Sequence, residues 1–317
     1  MNITGKRPKV IIAMSELFTM IPPQDERLHL EMARIAEAEG IHGLFVSEHV
    51  VMGPSAGGQG HPFNPRDFVN PGMQDPAMSW PSPLIKLAAL GAVTETIRIM
   101  ACALIAPLRH PIPLAKDLVT LDLLTNGRLT VLPTVSWHDE EYEALQIPFT
   151  ERGKRLDEHL EIWHKLWTEL PASHQGQFYQ FHDTYFSPQP KPGSIKLWFG
   201  GEMRAPFLRR VAKYGDGMML GWPLDAEKRA LLNEAMAAAG RDADDLEVTG
   251  WLLPEFDTPD RPADIDRMLD QQIPTLVSQW CDIVAIKPSC FIDDPAEFGA
   301  FCRNVMRRIE TFGLAPA

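Results

Sequence analysis

The sequence predicts an α/β chain folded as a (β/α)8 TIM barrel, and three features carry that expectation. Strand-like and helix-like patterns alternate from one end of the 317 residues to the other, in about eight repeats. The strand segments are short continuous apolar runs, as expected of parallel strands buried on both faces. No Gly-rich dinucleotide turn follows the first strand, which counts against a doubly wound open sheet, the competing architecture.

In chain order, residues 10–13 read as the first strand and 25–39 as the first helix, which Gly40 ends. Residues 42–47 (HGLFVS) form the second strand and 83–93 its helix. The third strand (97–105), the helix at 111–124, the Asn126-Gly127 turn and the fourth strand (129–135) make one parallel βαβ unit. The fourth helix spans 151–168, with Leu156, Leu160, Trp163 and Trp167 at helical spacing. Strands at 196–199, 217–220, 247–253 and 282–287 alternate with helices at 203–214, 226–239, 263–277 and 295–312. Two insertions interrupt the repeats: a Gly/Pro-rich one after strand two (52–79) and one after helix four (169–194), which holds the hairpin-like QGQFYQFHDTYF. The whole of 1–317 is expected to be a single domain.

Hydrophobic residues make up 45% of the chain, enough for one large core, and the net charge of −12 disfavours nucleic acid or an anionic membrane as partner. The four cysteines show no CxxC pairing or metal spacing and read as reduced, mostly buried thiols. No apolar run reaches the ~18 residues of a membrane span, and MNITGKRPK lacks the apolar stretch of a signal peptide. A soluble cytoplasmic protein is the expectation.

Barrel chemistry gathers at the carboxyl ends of the strands. Strand two ends in Ser47-Glu48-His49, where His49 is either a proton donor or acceptor or a partner for a neighbouring loop. Small residues at Ala101, Cys102 and Ala103 would let a flat ligand approach strand three, or would simply pack the barrel interior. Strand four runs out through Val135 and Ser136 into Trp137, a stacking face, and His138. Asp139–Glu141 opens a helical turn whose dipole favours acids, so no metal site is expected at His138. After strand five, Gly200-Gly201-Glu202-Met203-Arg204 leads into a helix, a place where backbone amides and Arg204 could hold a phosphate. No nucleophile elbow, P-loop or HExxH occurs, leaving hydrolase and kinase readings without an anchor.

Taken in order, AEAEGIHGLFVSEHV (36–50), TETIRIMACALIAPLRHPIPLAKDLVTLDLLTNGRL (94–129), SWHDEEYEALQIPFTERGKRLDE (136–158), PQPKPGSIKLWFGGE (188–202) and AKYGDGMM (212–219) form one combined pattern. It resembles the bacterial luciferase-like superfamily of flavin and deazaflavin oxidoreductases. The resemblance implies a homodimeric barrel enzyme that binds coenzyme F-420 (a deazaflavin) or FMN and acts on a small organic substrate by hydride transfer or oxygenation. It implies that Glu48 and His49 end strand two beside the ring, with His49 catalytic, and that a cis bond at Cys102-Ala103 backs the ring. It further implies that Val135 and Ser136 flank the ring, that Trp137 shapes the catalytic substrate side, and that Gly200–Arg204 grips the phosphate. The sequence departs from the family at Pro133, which lacks an amide hydrogen, and at Trp137, where sugar-phosphate-oxidising members carry glutamate. It departs again at Glu202 and Met203. The 52–79 insertion, with Phe63, Phe68, Met73, Met78 and Trp80, is expected to cover an apolar pocket. An FMN monooxygenase using dioxygen and a non-catalytic flavin-binding barrel stand as alternatives.

Overall fold

The protein is described by a computed structural model covering residues 7–22, 25–68, 70–221 and 224–312. Eight parallel strands close into a barrel: β1 (Lys9–Ala13), β2 (Gly43–Val46), β3 (Arg98–Ile105), β4 (Leu129–Thr134), β7 (Lys196–Gly200), β8 (Gly217–Met219), β9 (Glu247–Trp251) and β10 (Ile283–Ile286). Each pairs with the next and β10 returns to β1, with Lys9 opposite Ile283 and Ile12 opposite Ile286. Helices α1 (Glu26–Ala38), α2 (Pro83–Ala92), α3 (Pro111–Leu124), α4 (Asp139–Ala144), α5 (Arg152–Thr168), α6 (Ala205–Tyr214), α7 (Ala226–Ala238), α8 (Ile265–Ser278) and α9 (Phe298–Thr311) complete the repeats.

Side chains alternate across each strand, and both faces are apolar because both are buried. Ile11, Ala13, Phe45, Met100, Cys102, Leu132, Trp198 and Ile283 fill the barrel interior. Val10, Ile12, Leu44, Val46, Ile99, Ala101 and Val131 face the helices. This two-sided burial explains the continuous apolar runs in the sequence. At the amino-terminal end of the barrel, Glu247 on β9 takes Arg98 of β3 at 2.5 Å and Lys9 of β1 at 3.5 Å. Burial pushes the Glu247 carboxyl up, but the Arg98 hydrogen bond and charge outweigh it and hold the group below its ordinary range.

The second insertion carries an antiparallel hairpin, β5 (Ala172–Gln175) and β6 (Gln180–Thr184), packed by the buried His174 and its bond to Glu158. The first insertion has a short 3-10 turn, Pro54–Gly57, and is stitched to the strand-end loops along its length. Gly53 N–H donates to His138 Nε2 at 2.8 Å, and Ser55 donates to Glu140 through N–H and Oγ. Further along, Asn64 donates to the carbonyls of Thr258 and Arg261, and Arg66 makes a two-pronged pair with Asp293. A side chain at Gly53 would have its Cβ 2.7 Å from the Glu140 Cβ, so only glycine lets these two segments meet. All four cysteines are free thiols, and burial pushes Cys281, Cys290 and Cys302 up to about 12, leaving them unreactive. No helix among the described residues is long and apolar enough to cross a membrane.

Candidate active site

At the carboxyl ends of the strands lies a cavity of about 410 Å3. Its floor is apolar, made by Phe45 of β2, Cys102 and Ala103 of β3, Leu132 of β4, Met219 of β8 and Trp251 of β9. The Cys102-Ala103 peptide bond is cis, and the β3–β4 register shifts at this point, with Cys102 opposite Leu132 but Leu104 opposite Pro133. Pro133 costs the sheet no ladder bond to β7, because that pairing covers only Thr130 and Val131. One wall is Gly200-Gly201. A Cβ on Gly200 would stand 3.2 Å from the Met219 carbonyl, and Gly201 has φ +134, a conformation that favours glycine. A bare, apolar, concave surface of this kind suits a flat ring system whose face lies against backbone.

Cys102, Ala103, Gly200 and Gly201 therefore line this cavity, whereas the other expected site residues stand around it. The Glu48 carboxylate is turned away, onto Ile105 N–H at 2.7 Å and the Arg109 guanidinium. It locks the turn after β3. Glu202 and Arg204 are exposed and pair with each other at 2.5 Å, so the guanidinium is engaged by its own neighbour. Met203 packs partly on the helix-facing core, and α6 begins only at Ala205.

His49, Val135, Ser136 and Trp137 converge on a second feature. Ser136 has φ 60, so the chain turns sharply after β4 and brings Trp137 and His138 back toward His49. The His49 ring meets Trp80, Trp137 and His138 edge-on at 4.8, 5.9 and 6.3 Å. The Val135 carbonyl accepts the Tyr142 hydroxyl at 2.6 Å. Beneath lies Glu141, fully buried, accepting Val50 N–H at 2.6 Å, the Ser136 hydroxyl at 3.1 Å and His49 Nδ1 at 3.2 Å. Burial drives the Glu141 pKa up, but the hydrogen bond and charge of His49, with the Val50 and Ser136 bonds, outweigh it and hold it below the ordinary range. An ionised Glu141 accepts only, so Nδ1 of His49 carries the proton, and no hydrogen bond reaches Nε2 among the described residues. His49 itself lines neither the barrel-mouth cavity nor the cavity under the insertion; Trp80, which it touches, walls the latter.

Two functional candidates escaped the sequence reading. Glu141 looked like a helix-opening acid, and it does sit in the first turn of α4, but its carboxylate goes to His49. Lys287, at the end of β10, is a buried ammonium on the cavity wall, donating to the Asp67 carbonyl at 2.8 Å. Its only sequence signal was its place at the carboxyl end of the last strand. Among the described residues no group of three or more His, Cys, Asp or Glu is arranged to hold a metal.

Residues 12–256 match the family model described as luciferase-like monooxygenase. An uncharacterized protein of Mycobacterium tuberculosis is 34% identical over 214 residues, covering 66% of this chain and 74% of the relative. The oxygenase component of a flavin-dependent trigonelline monooxygenase from Acinetobacter baylyi is 27% identical over 164 residues, 51% of this chain and 39% of its own. Among solved structures, the EDTA monooxygenase from Chelativorans superposes with a TM-score of 0.71 at 14% identity, over 98% of this chain and 95% of that one. An F420-dependent secondary alcohol dehydrogenase superposes with a TM-score of 0.70 at 13% identity, over 96% of this chain and 99% of that one. At these identities the superpositions speak for the fold.

Proposed function

The chain belongs to the luciferase-like monooxygenase family, and from that premise we propose a flavin-type oxidoreductase that holds coenzyme F-420 or FMN in the barrel-mouth cavity. Its reaction is hydride transfer to or from, or oxygenation of, a small apolar organic substrate. The observation that carries the reading is the bare apolar recess of Cys102, Ala103, Leu132 and Gly200-Gly201 at the carboxyl ends of the strands. Such a ring, when bound, supplies the hydride or the electron pair. The chain supplies the rest. Cys102-Ala103 and Leu132 buttress a flat face, and the Gly200-Gly201 wall lets the ligand lie close to backbone. Glu141 holds a proton on His49 Nδ1, which leaves Nε2 to give or take a proton as charge develops. Trp80 and Trp137 enclose that imidazole in aromatic edges and limit water around it. Glu202–Arg204 would have to open to reach a phosphate, so the grip on that group falls first to the backbone at Gly200-Gly201.

The likeness to a flavin-dependent trigonelline monooxygenase favours FMN and oxygenation as the second reading. We take residues 1–317 as one barrel unit working in the cytoplasm as a homodimer, since Ile85 of α2 and Leu124 of α3 expose apolar side chains on adjacent helices. Sedimentation of Ile85→Asp tests the last point: a monomer supports it, and an unchanged mass refutes it. Titration of FMN and of the deazaflavin, read by fluorescence quenching, tests the first. Saturable binding of one of them is expected; binding of neither refutes the redox reading.

A further inference from the structure

A second cavity, of about 320 Å3, lies under the 52–79 insertion. Phe18, Trp80, Met73 and Met78 supply its apolar walls, which suit a flat or aromatic molecule. Lys287 belongs to its wall and to that of the barrel-mouth cavity, so this one side chain stands where the two spaces meet. Lys287 is only 3% exposed. Among the described residues its ammonium donates one hydrogen bond, to the Asp67 carbonyl at 2.8 Å, with Glu16 at 3.8 Å and the Phe68 ring centre at 5.2 Å, so it keeps donor capacity for a strong acceptor.

From this arrangement we infer that the cavity under the insertion is the substrate site, and that its substrate is a small, flat, uncharged carbonyl compound such as an aromatic amide or lactam. The carbonyl oxygen accepts from Lys287, which turns the carbonyl end of the molecule toward the barrel-mouth cavity. The inference rests on the redox reading above and names its substrate class. Charge sets the choice. The wall holds two carboxylates, Asp67 and Asp75, against one ammonium, so an anion meets net repulsion. A cation would meet Lys287 at the inner end. Both carboxylates are also committed to backbone, Asp67 to Phe68 N–H and Asp75 to Ala77 N–H, which weakens their claim on a cationic ligand. A neutral acceptor oxygen is what a buried ammonium with a spare donor rewards.

Fluorine NMR titration of the whole protein with 4-fluorobenzamide, 4-fluorobenzoate and 4-fluorobenzyltrimethylammonium tests this. The amide is expected to bind at least about tenfold tighter than either ion, the advantage of one charge-assisted hydrogen bond. Lys287→Met should erase that preference. Met73→Trp, which fills a cavity that Met73 lines and leaves the barrel mouth untouched, should abolish amide binding while FMN and deazaflavin titrations stay unchanged. Either ion binding as tightly as the amide, no amide binding at all, or amide binding that survives Met73→Trp overturns the proposal. Amide binding with this pattern, but no binding of either flavin, removes the redox reading and leaves the carbonyl site standing.

Discussion

Glu141→Gln tests the chemistry of the site through a change of a single atom. In the native protein one buried carboxylate takes Val50 N–H, Ser136 Oγ–H and His49 Nδ1–H. Glutamine keeps one acceptor oxygen, and the 2.6 Å bond to Val50 makes that the position it will serve. Its NH2 then faces His49, which must accept at Nδ1 and move its proton to Nε2. The Ser136 and His49 bonds share the other oxygen and both lose a charged, buried acceptor, each worth about 1.5–3 kcal/mol before bonds from the new NH2 offset part of it. Urea melts at pH 7 should lose stability of that order. The sign with pH follows from the direction of the shift. The folded Glu141 pKa lies below its ordinary 4.5, so its contribution is present above that value and disappears as pH falls through the folded value. Wild type and variant should therefore begin to converge as pH falls below 4.5 and meet once it is below the folded value. Turnover should fall by roughly 10²–10⁴-fold, the range for a misplaced general acid–base group, with the flavin titration unchanged. A folded Glu141→Gln protein with native turnover would refute the role given to this pair. Curves that stay equally separated at acid pH would refute the lowered carboxyl.

His49→Ala is expected to lower turnover by at least ~100-fold with flavin affinity retained, and wild-type turnover in that protein removes His49 from the mechanism. Gly53→Ala should push Glu140 from Ser55 and cost about 1–2 kcal/mol, with faster proteolytic nicking inside 52–79; an unchanged digest counts against the strap. Burial, then the nearby Lys86, lowers the His29 pKa from 6.5 to about 3, so the folded state resists a proton that the unfolded chain accepts. Stability from this group is full above pH 6.5 and drains as pH falls toward 3, and His29→Leu should flatten that part of the curve.

Much of the barrel was legible because its signals are local. Gly40 and Asn126-Gly127 end helices where they were expected to, each with positive φ, and the apolar runs became strands within a residue or two. The hairpin of the second insertion was visible, although β5 starts at Ala172, earlier than its apolar pattern implied. At the site, Cys102 and Ala103 of β3 and the glycines that end and follow β7 were readable as cavity lining because a missing side chain is itself a local fact, whereas Ala101 packs toward the helices. The direction of charged side chains was not. Glu48 stands beside His49 in sequence yet points to Arg109, and Arg204 spends its charge on Glu202.

Alone, then, the chain determined its period, its strand and helix order and the end of the barrel where small residues collect, since hydrophobic alternation and helix stops act over a few neighbours. Only tertiary structure decided the partners. His49 and Glu141 are 92 residues apart, and Lys287 reaches an insertion carbonyl 220 residues away. Those pairings follow from barrel closure, which gathers the carboxyl ends of all the strands around one mouth, so that the loops after β2 and β4 meet across β3 and the loops after β10 and β2 meet across β1, and no spacing along the chain encodes that distance.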